Sequence, residues 1–347
     1  MTHRVRLAGR ETVFEVSPDE TVLQAGLRHH LALPFGCQSG GCASCRVRKL
    51  EGLVEYPFPP PGLSAAEVEA GYILMCLARP RSDLLLDLHQ PPQLDALRPR
   101  QLPCRVQSRT WLAHDVLGLS LKLPRGSASA GAFTWMPGQY IDLLLDDGRR
   151  RSFSLANAPQ VDATNPTLEL HIRVAPGGRF AQWAAHEMPE RAILRFEGPL
   201  GAFYLRDDAA RPTVMVAGGT GIAPIHAMLE ALTRDACERR VYLYWGVRAQ
   251  RDLYLHERLT QWSRRHAWLR YVPVLSEPEP GWDGATGLVH EAVLRAHPVL
   301  RGFAAYLSGP PAMVRAGKQA FAAAGLDADH LFYDSFDYAH ETWPGMA

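Results

Sequence analysis

The sequence predicts a multidomain α+β and α/β chain in three parts: a small α+β domain, an antiparallel β-barrel and an α/β domain with a parallel sheet. Three observations carry this expectation. Short strands and one helix flank a cysteine-rich loop in residues 4–88. Six strand-like stretches of alternating polarity, separated by turn signals, fill residues 104–197. From Pro212 onward, continuous apolar runs enter glycine turns and helices, the pattern of buried parallel strands with crossover helices. The expected boundaries are 1–91 for the first domain, 92–102 for a proline-stiffened linker, 103–208 for the barrel and 209–347 for the last domain.

In the first domain Val5, Leu7, Val13, Phe14 and Val16 alternate about a turn at Gly9-Arg10, which reads as a hairpin. Ser17-Pro18-Asp19-Glu20 has capping-box spacing with proline at the first helical position. A helix is expected from there through Val22, Leu23 and Leu27 to about His30. Arg46–Leu50 alternates as a strand, Gly71–Cys76 delivers a further cysteine, and Asp83–Leu88 closes the sheet.

Between helix and strand lies Pro34-Phe35-Gly36-Cys37-Gln38-Ser39-Gly40-Gly41-Cys42-Ala43-Ser44-Cys45, with Cys76 well downstream. The spacing C-x4-C-x2-C with a distant fourth cysteine is that of a plant-type 2Fe-2S site. Three thiolates of one tight loop, Cys37, Cys42 and Cys45, can wrap one side of a cluster, and Cys76 closes the other. Gly36, Gly40 and Gly41 permit positive φ and let N–H groups turn toward the sulfurs, while Ala43 and Ser44 leave room. Disulfides are disfavoured because nothing points to export, and structural zinc would show paired C-x2-C knuckles. Cys104 and Cys237 read as buried thiols. Residues 31–50 hold no Asp or Glu but do hold Arg46, Arg48 and Lys49. The rim of the loop is therefore expected to suit an acidic or neutral electron acceptor; a solvated strand face is the alternative.

The barrel strands are expected at Cys104–Ser108, Val116–Leu123, Gln139–Leu145, Arg151–Leu155, Thr167–Val174 and Ala192–Glu197, with turns at Pro124-Arg125-Gly126 and Asp147-Gly148. Gly177-Gly178 precedes Arg179-Phe180-Ala181 and reads as a glycine turn opening a helix, whose first N–H groups are available to a phosphate.

In the last domain Pro212–Ala217 runs into Gly218-Gly219-Thr220-Gly221-Ile222-Ala223-Pro224 and a helix through Met228, Leu229 and Leu232. Gly219 and Gly221 allow a pyrophosphate to come close, and Pro224 is tolerated at a first helical position. Proline stands where the third glycine of G-x-G-x-x-G would be. Val241–Gly246, Leu269–Val274 and Phe303–Ser308 are further strands. The last opens into Gly309-Pro310-Pro311-Ala312-Met313 and a helix, and Leu331–Phe336 is a final strand. Ligands of such sheets bind at the carboxyl ends of the strands.

The 347 residues are 47% apolar and 21% charged, with net charge +1, so no broad basic surface recruits nucleic acid. No apolar run reaches the roughly 18 residues of a membrane helix. The first residues alternate like a strand and lack an apolar signal core, so a cytoplasmic location is expected. His29, His30, His226 and His290 read as surface or core histidines.

Several stretches resemble known families. The four-cysteine domain resembles the β-grasp ferredoxins. Arg151-Ser152-Phe153-Ser154 followed by Gly177-Gly178 resembles the flavin domain of the ferredoxin-NADP reductase superfamily, and G-G-T-G-x-A-P and G-P-P-x-M resemble its nicotinamide domain. The resemblance implies FAD and a nicotinamide cofactor. It places Arg151 on the flavin pyrophosphate, Phe153 along the isoalloxazine and ribityl region, and Ser154 near flavin N5, with Ser152 in the same strand. Backbone groups at Gly178 and Arg179, next to Gly177, would serve a phosphate, and those of His171-Ile172-Arg173 the adenine side, with Arg173 a further phosphate candidate. Ala181 stands where the family often has a small hydroxyl residue, which implies one contact fewer. Gly219, Thr220, Gly221 and Pro224 would take the dinucleotide, and Gly309, Pro310 and Met313 the nicotinamide. Ser308 replaces a frequent cysteine, and Phe336 would lie near the flavin ring. Arg248 and Arg251 stand at the adenosine end without the strongly basic pattern of NADPH enzymes, so NADH is favoured, with NADPH the alternative.

The whole order of parts resembles the reductase components of bacterial multicomponent oxygenases, which pass electrons from NADH through FAD and a 2Fe-2S cluster to Rieske or di-iron oxygenases acting on aromatic compounds. Residues 151–159 and 241–248 look closest to CDP-6-deoxy-Δ3,4-glucoseen reductases, which serve a deoxysugar dehydrase. A flavin and iron–sulfur redox sensor with little turnover is the alternative of another class. The implied partner is a one-electron protein acceptor docking near the cluster loop.

Overall fold

The computed structural model describes residues 2–29, 31, 33–35, 38, 40–41, 43–63, 65–88, 97, 99–124, 133–160, 166–234 and 237–336. They divide into two compact units, residues 1–100 with 198–202 and residues 101–197 with 203–347.

The first unit holds β1 (His3–Leu7), β2 (Val13–Val16), α1 (Val22–Arg28), β3 (Arg46–Glu51), β4 (Val54–Glu55), α2 (Ala65–Glu69), β5 (Tyr72–Leu74), β6 (Arg79–Pro80) and β7 (Leu84–Asp87). Its mixed sheet runs β2-β1-β7-β3-β5, with β1 antiparallel to β2 and parallel to β7. The alternation of the hairpin is realised as burial: Val5, Leu7, Phe14 and Val16 are core, along with Val22, Leu23, Leu84 and Leu86. The helix starts later than Ser17–Glu20 predicts. Those residues form a turn, in which Ser17 N–H donates to Glu20 Oε2 at 3.2 Å, while Arg28 holds the Glu20 carboxylate. Thr21 is the true cap, exchanging hydrogen bonds with Gln24 immediately before the apolar pair Val22-Leu23 whose burial sets the helix register.

The second unit opens with β8 (Arg100–Ala113), β9 (Val116–Lys122), β10 (Tyr140–Leu144), β11 (Arg150–Ser154), β12 (Thr167–Arg173), α3 (Arg179–His186) and β13 (Ile193–Leu200), in sheet order β11-β10-β13-β8-β9-β12. A bridge between Leu155 and Leu170, with Ala156 N–H donating to Glu169 O at 2.7 Å, joins the two edges and closes the barrel. Leu119, Leu121, Ile141, Leu143, Leu168 and Phe196 fill it, and α3 adds Phe180, Ala181 and Ala184. β8 is much longer than the expected Cys104–Ser108 and begins inside the expected linker. It follows β9 to Ala113 by way of two register shifts, and such bulges carry a strand around a barrel corner. Burial pushes the Cys104 thiol up to about 12, so it is an inert core group.

The unit continues with β14 (Thr213–Gly218), α4 (Ile222–Arg234), β15 (Val241–Val247), α5 (His256–Arg265), β16 (Leu269–Leu275), β17 (Ala285–Thr286), α6 (Val289–Ala296), β18 (Ala304–Gly309), α7 (Pro311–Ala323) and β19 (Leu331–Ser335). The sheet order β17-β16-β15-β14-β18-β19 is parallel throughout. The chain leaves β14 toward β15 and returns on its other side as β18. The carboxyl ends of β14 and β18 therefore form the switch point of the sheet, where ligands of such folds bind.

Candidate active site and cluster site

The switch point is built from glycine packed on glycine. After β14 a 3-10 turn, Gly219–Gly221, leads into α4. A Cβ on Gly221 would lie 2.1 Å from Ser308 O, and one on Gly218 2.5 Å from Met313 Sδ. Gly309, at φ +143°, would place a Cβ 2.8 Å from Gly218 O. At Gly221 and Gly309 the neighbour is backbone, which cannot swing aside, so the two turns meet backbone to backbone. Pro224 is the third residue of α4 rather than the first, because the 3-10 turn takes up the chain before it. It still falls in the first turn, where an N–H has no helical partner. Pro311 opens α7 directly after Pro310.

Three elements converge here. Ser154, at the end of β11, donates its hydroxyl to Asp334 Oδ2 at 3.3 Å. Asp334 lies opposite Ser308 in the β18–β19 register, and Phe336 N–H donates to Gly309 O at 3.0 Å. Ser308 is fully buried, and its Oγ has no hydrogen-bond partner among the described residues. An orphaned buried hydroxyl is costly unless a ligand completes it. Asp334 escaped the sequence reading. Its signal is the register that pairs it with Ser308, and that appears only once the strands are aligned.

On the barrel side, Arg149 is held by Asp147, and Arg150 pairs with Glu197 at 3.0 Å. Arg149 draws the Asp147 carboxyl down to about 2. Arg151 Nη1 donates to Arg150 O at 2.9 Å. Ser152 is turned to Asp142 Oδ1 at 2.6 Å, a carboxyl that burial raises. Phe153 packs beside Phe180, with ring centroids 5.6 Å apart. Gly177 takes φ +79° in open space. Gly178 caps α3 without a side chain, and its own N–H donates to Ala175 O at 3.2 Å, so the amides this turn can offer a phosphate begin at Arg179 rather than at Gly178. Ala181 is buried in the barrel core.

His171 and Arg173 send their side chains toward the α/β part. Tyr254 Oη lies 3.2 Å from His171 Nδ1. Burial, then His226 and Arg258, draw His171 down to about 3, so it is neutral. Arg173 is bound to Asp115 at 2.6 Å, and its Nη1 stands 3.2 Å from where a Gly219 Cβ would be. Ile172 is core. Arg248 and Arg251 are exposed beyond β15.

In the first unit Cys45 and Cys76 are buried, and Cys76 N–H donates to Cys45 Sγ at 3.5 Å. Gln38, Gly40 and Ala43 take positive φ of 55°, 81° and 49°, which folds the loop tightly. A Cβ on Gly62 would lie 2.5 Å from Gly40 O, so the chain at Pro61-Gly62 lies directly on that loop. The Tyr56 hydroxyl accepts Leu74 N–H at 3.2 Å; burial, then the charges of Cys45 and Cys76, raise it to about 12. Cys37 and Cys42 lie outside the described residues. The two described thiols, close together and receiving an amide hydrogen bond, fit a cluster ligand set. The basic rim is narrower than expected. Arg46 is ion-paired with Glu67 and stacked on Tyr72, and Lys49 Nζ donates to Gly52 O, which leaves Arg48 exposed.

No helix among the described residues is long and apolar enough to cross a membrane. Three family profiles match the chain: the 2Fe-2S iron-sulfur cluster binding domain over residues 5–81, the oxidoreductase FAD-binding domain over 103–204 and the oxidoreductase NAD-binding domain over 215–319. The CDP-6-deoxy-L-threo-D-glycero-4-hexulose-3-dehydrase reductase of Yersinia pestis is 35% identical over 97% of this chain and 99% of its own. Reductase component 1 of the terephthalate 1,2-dioxygenase of a Comamonas species is 29% identical over 97% and 98%. The crystal structure of the Amycolatopsis cytochrome P450 reductase GcoB superposes with TM-score 0.74 at 33% identity, over 96% of this chain and 99% of that one.

Proposed function

This chain belongs to the reductases that carry a 2Fe-2S domain, an FAD-binding domain and an NAD-binding domain on one polypeptide, and from that premise we propose that it delivers electrons from NADH to the oxygenase component of a system acting on an aromatic compound. When bound, the nicotinamide supplies hydride, the flavin exchanges the pair for single electrons, and the cluster takes them one at a time. The observation that carries this reading is the meeting of Ser154, Ser308, Asp334 and Phe336 at the switch point.

Each residue has a task the geometry supports. Asp334 orients the Ser154 hydroxyl at the edge of the flavin site. Ser308 offers a buried hydroxyl that a nicotinamide carboxamide can complete. Phe336, tied by its amide to Gly309, would place its ring beside the flavin, where a nicotinamide would have to pass it. Arg151 and the α3 N-terminus from Arg179 would hold the flavin pyrophosphate, and Gly219–Gly221 would receive that of NADH. Cys45 and Cys76, with Cys37 and Cys42, hold the cluster.

A second reading rests on the 35% identity to the Yersinia dehydrase reductase over nearly the whole chain: the acceptor is a sugar dehydrase. Anaerobic NADH should bleach the visible spectrum of the purified chain, and steady turnover should follow when an acceptor is added. Coupling to an aromatic-ring oxygenase but not to a sugar dehydrase supports the first reading, and the reverse result replaces it. An unbleached spectrum overturns both.

A further inference from the structure

Helix α4 leaves the glycine turn and lays one face along the segment that follows β11. Residues 226, 230 and 234 recur every fourth position and so share that face. Each engages a backbone group of the segment. His226 Nδ1 lies 2.6 Å from Ala156 O, Glu230 Oε2 accepts Ala158 N–H at 2.7 Å, and Arg234 Nη1 donates to Pro159 O at 2.6 Å. Arg234 also donates through Nη2 to Glu230 Oε1 at 2.8 Å.

The chemistry fixes the state of the imidazole. A carbonyl oxygen only accepts, so the proton sits on Nδ1, and Nε2 is left to accept from Arg258 Nη1 at 3.2 Å. The ring is buried and stacked on Trp262. Ala156 and Ala158 are buried as well, so any slip of α4 would leave polar backbone groups unpaired at a cost of roughly 1–3 kcal/mol each.

The two ends of this contact explain its use. Ala156 is two residues beyond Ser154, and α4 is the helix that starts at Gly219–Gly221. Barrel and α/β part also form one compact unit. We propose that the His226–Glu230–Arg234 face is a clasp setting the distance between the flavin-side strand and the nicotinamide-side turn, and that these are positioning residues for hydride transfer. The inference rests on the hydride-transfer site proposed above. Misplacement of that strand by about 1 Å can cost roughly a hundredfold in rate.

The test uses the full chain loaded with its cofactors, comparing Glu230→Ala with Glu230→Gln. Glutamine keeps an oxygen for Ala158 N–H; alanine does not. In Glu230→Ala the Ala158 amide should exchange with deuterium faster, and flavin reduction at saturating NADH should slow by roughly 10–100-fold with KM for NADH little changed. Glu230→Gln should restore most of both. Fast exchange at Ala158 with wild-type flavin reduction would make the contact structural only and overturn the proposal, as would an unchanged amide. If Glu230→Ala does not fold, Arg234→Met carries the test, because that side chain is partly exposed. It should slow flavin reduction at unchanged KM, and a wild-type rate there overturns the proposal. Wild-type protein that NADH cannot reduce defeats the site reading and the clasp with it; normal wild-type reduction with indifferent variants defeats the clasp alone.

Discussion

The cluster site and the flavin–nicotinamide site are built in opposite ways. Around Cys45 the backbone is irregular: Gln38, Gly40 and Ala43 sit at positive φ, and the loop is braced by close contact with Pro61-Gly62. At the switch point the turns are also irregular, with Gly219 and Gly309 at positive φ, but the side chains that meet there come from strand ends far apart in sequence, Ser154 and Asp334 being separated by 180 positions. The first arrangement concentrates function in one loop and the turn at Cys76 that closes on it, where a change of ligand removes everything and a change elsewhere removes little. The second spreads function over register, so residues that touch no ligand can still govern it.

The largest expected effect tests the first half of that contrast. Cys76→Ser should lose transfer to a protein acceptor by more than the roughly 10–100-fold that a lost supporting residue costs at a metal site. NADH-driven ferricyanide reduction, which needs only the second unit, should persist. Parallel loss of both activities would show that the sites do not separate.

Gly221→Ala is the counterpart at the switch point. Its Cβ would meet Ser308 O at 2.1 Å, and backbone cannot swing aside as a flexible side chain can. Destabilisation of the second unit by about 1–3 kcal/mol is expected from overpacking, with NADH affinity lost and the cluster spectrum intact. Thermal unfolding and NADH titration read the two effects. Asp334→Ala comes next: without its orienting partner Ser154 should still permit flavin binding, while flavin reduction slows by up to roughly a hundredfold. Unchanged stopped-flow reduction would remove Asp334 from the site.

What was legible in the sequence follows the same division. The cysteine spacing, the Arg151–Ser154 strand and both glycine turns are contiguous, so they could be read without knowing what pairs with what. Asp334 could not, because only the β18–β19 register brings it beside Ser308. The sequence leaves the histidine at 226 as surface or core; it is buried, and its contact with Ala156 depends on how α4 docks on the barrel. The helix start was misplaced for a related reason: Ser17–Glu20 and Thr21–Gln24 both have the local chemistry, and burial of Val22-Leu23 decides between them.

A gentler test separates the units by pH. His171 and His226 are both held below their ordinary values by burial, and both lie in the second unit. A histidine with a depressed folded pKa leaves stability intact above the unfolded value of about 6.5. As pH falls below it, the unfolded chain binds the proton first, and stability drops by at most about 1.4 kcal/mol per pH unit for each group until the folded pKa is reached, about 3 for His171. The second unit should therefore soften between about pH 6.5 and 3, read as a falling unfolding midpoint of the bound flavin's signal.

The smallest effect expected concerns the rim of the cluster loop. Arg46 and Arg48 carry the same charge on the same strand, yet only Arg48 is exposed, because Arg46 is spent on Glu67 and Tyr72. A partner approaching the loop should feel Arg48. Arg48→Glu should slow reduction of an acidic acceptor a few-fold at low salt, and the difference should fade as screening shortens toward about 8 Å at physiological ionic strength. Arg46→Gln should instead cost the first unit about 1 kcal/mol through the lost ion pair and leave the salt dependence alone. Equal salt effects from both would mean that the strand presents one continuous basic face, and that the Glu67 pair opens when the acceptor docks.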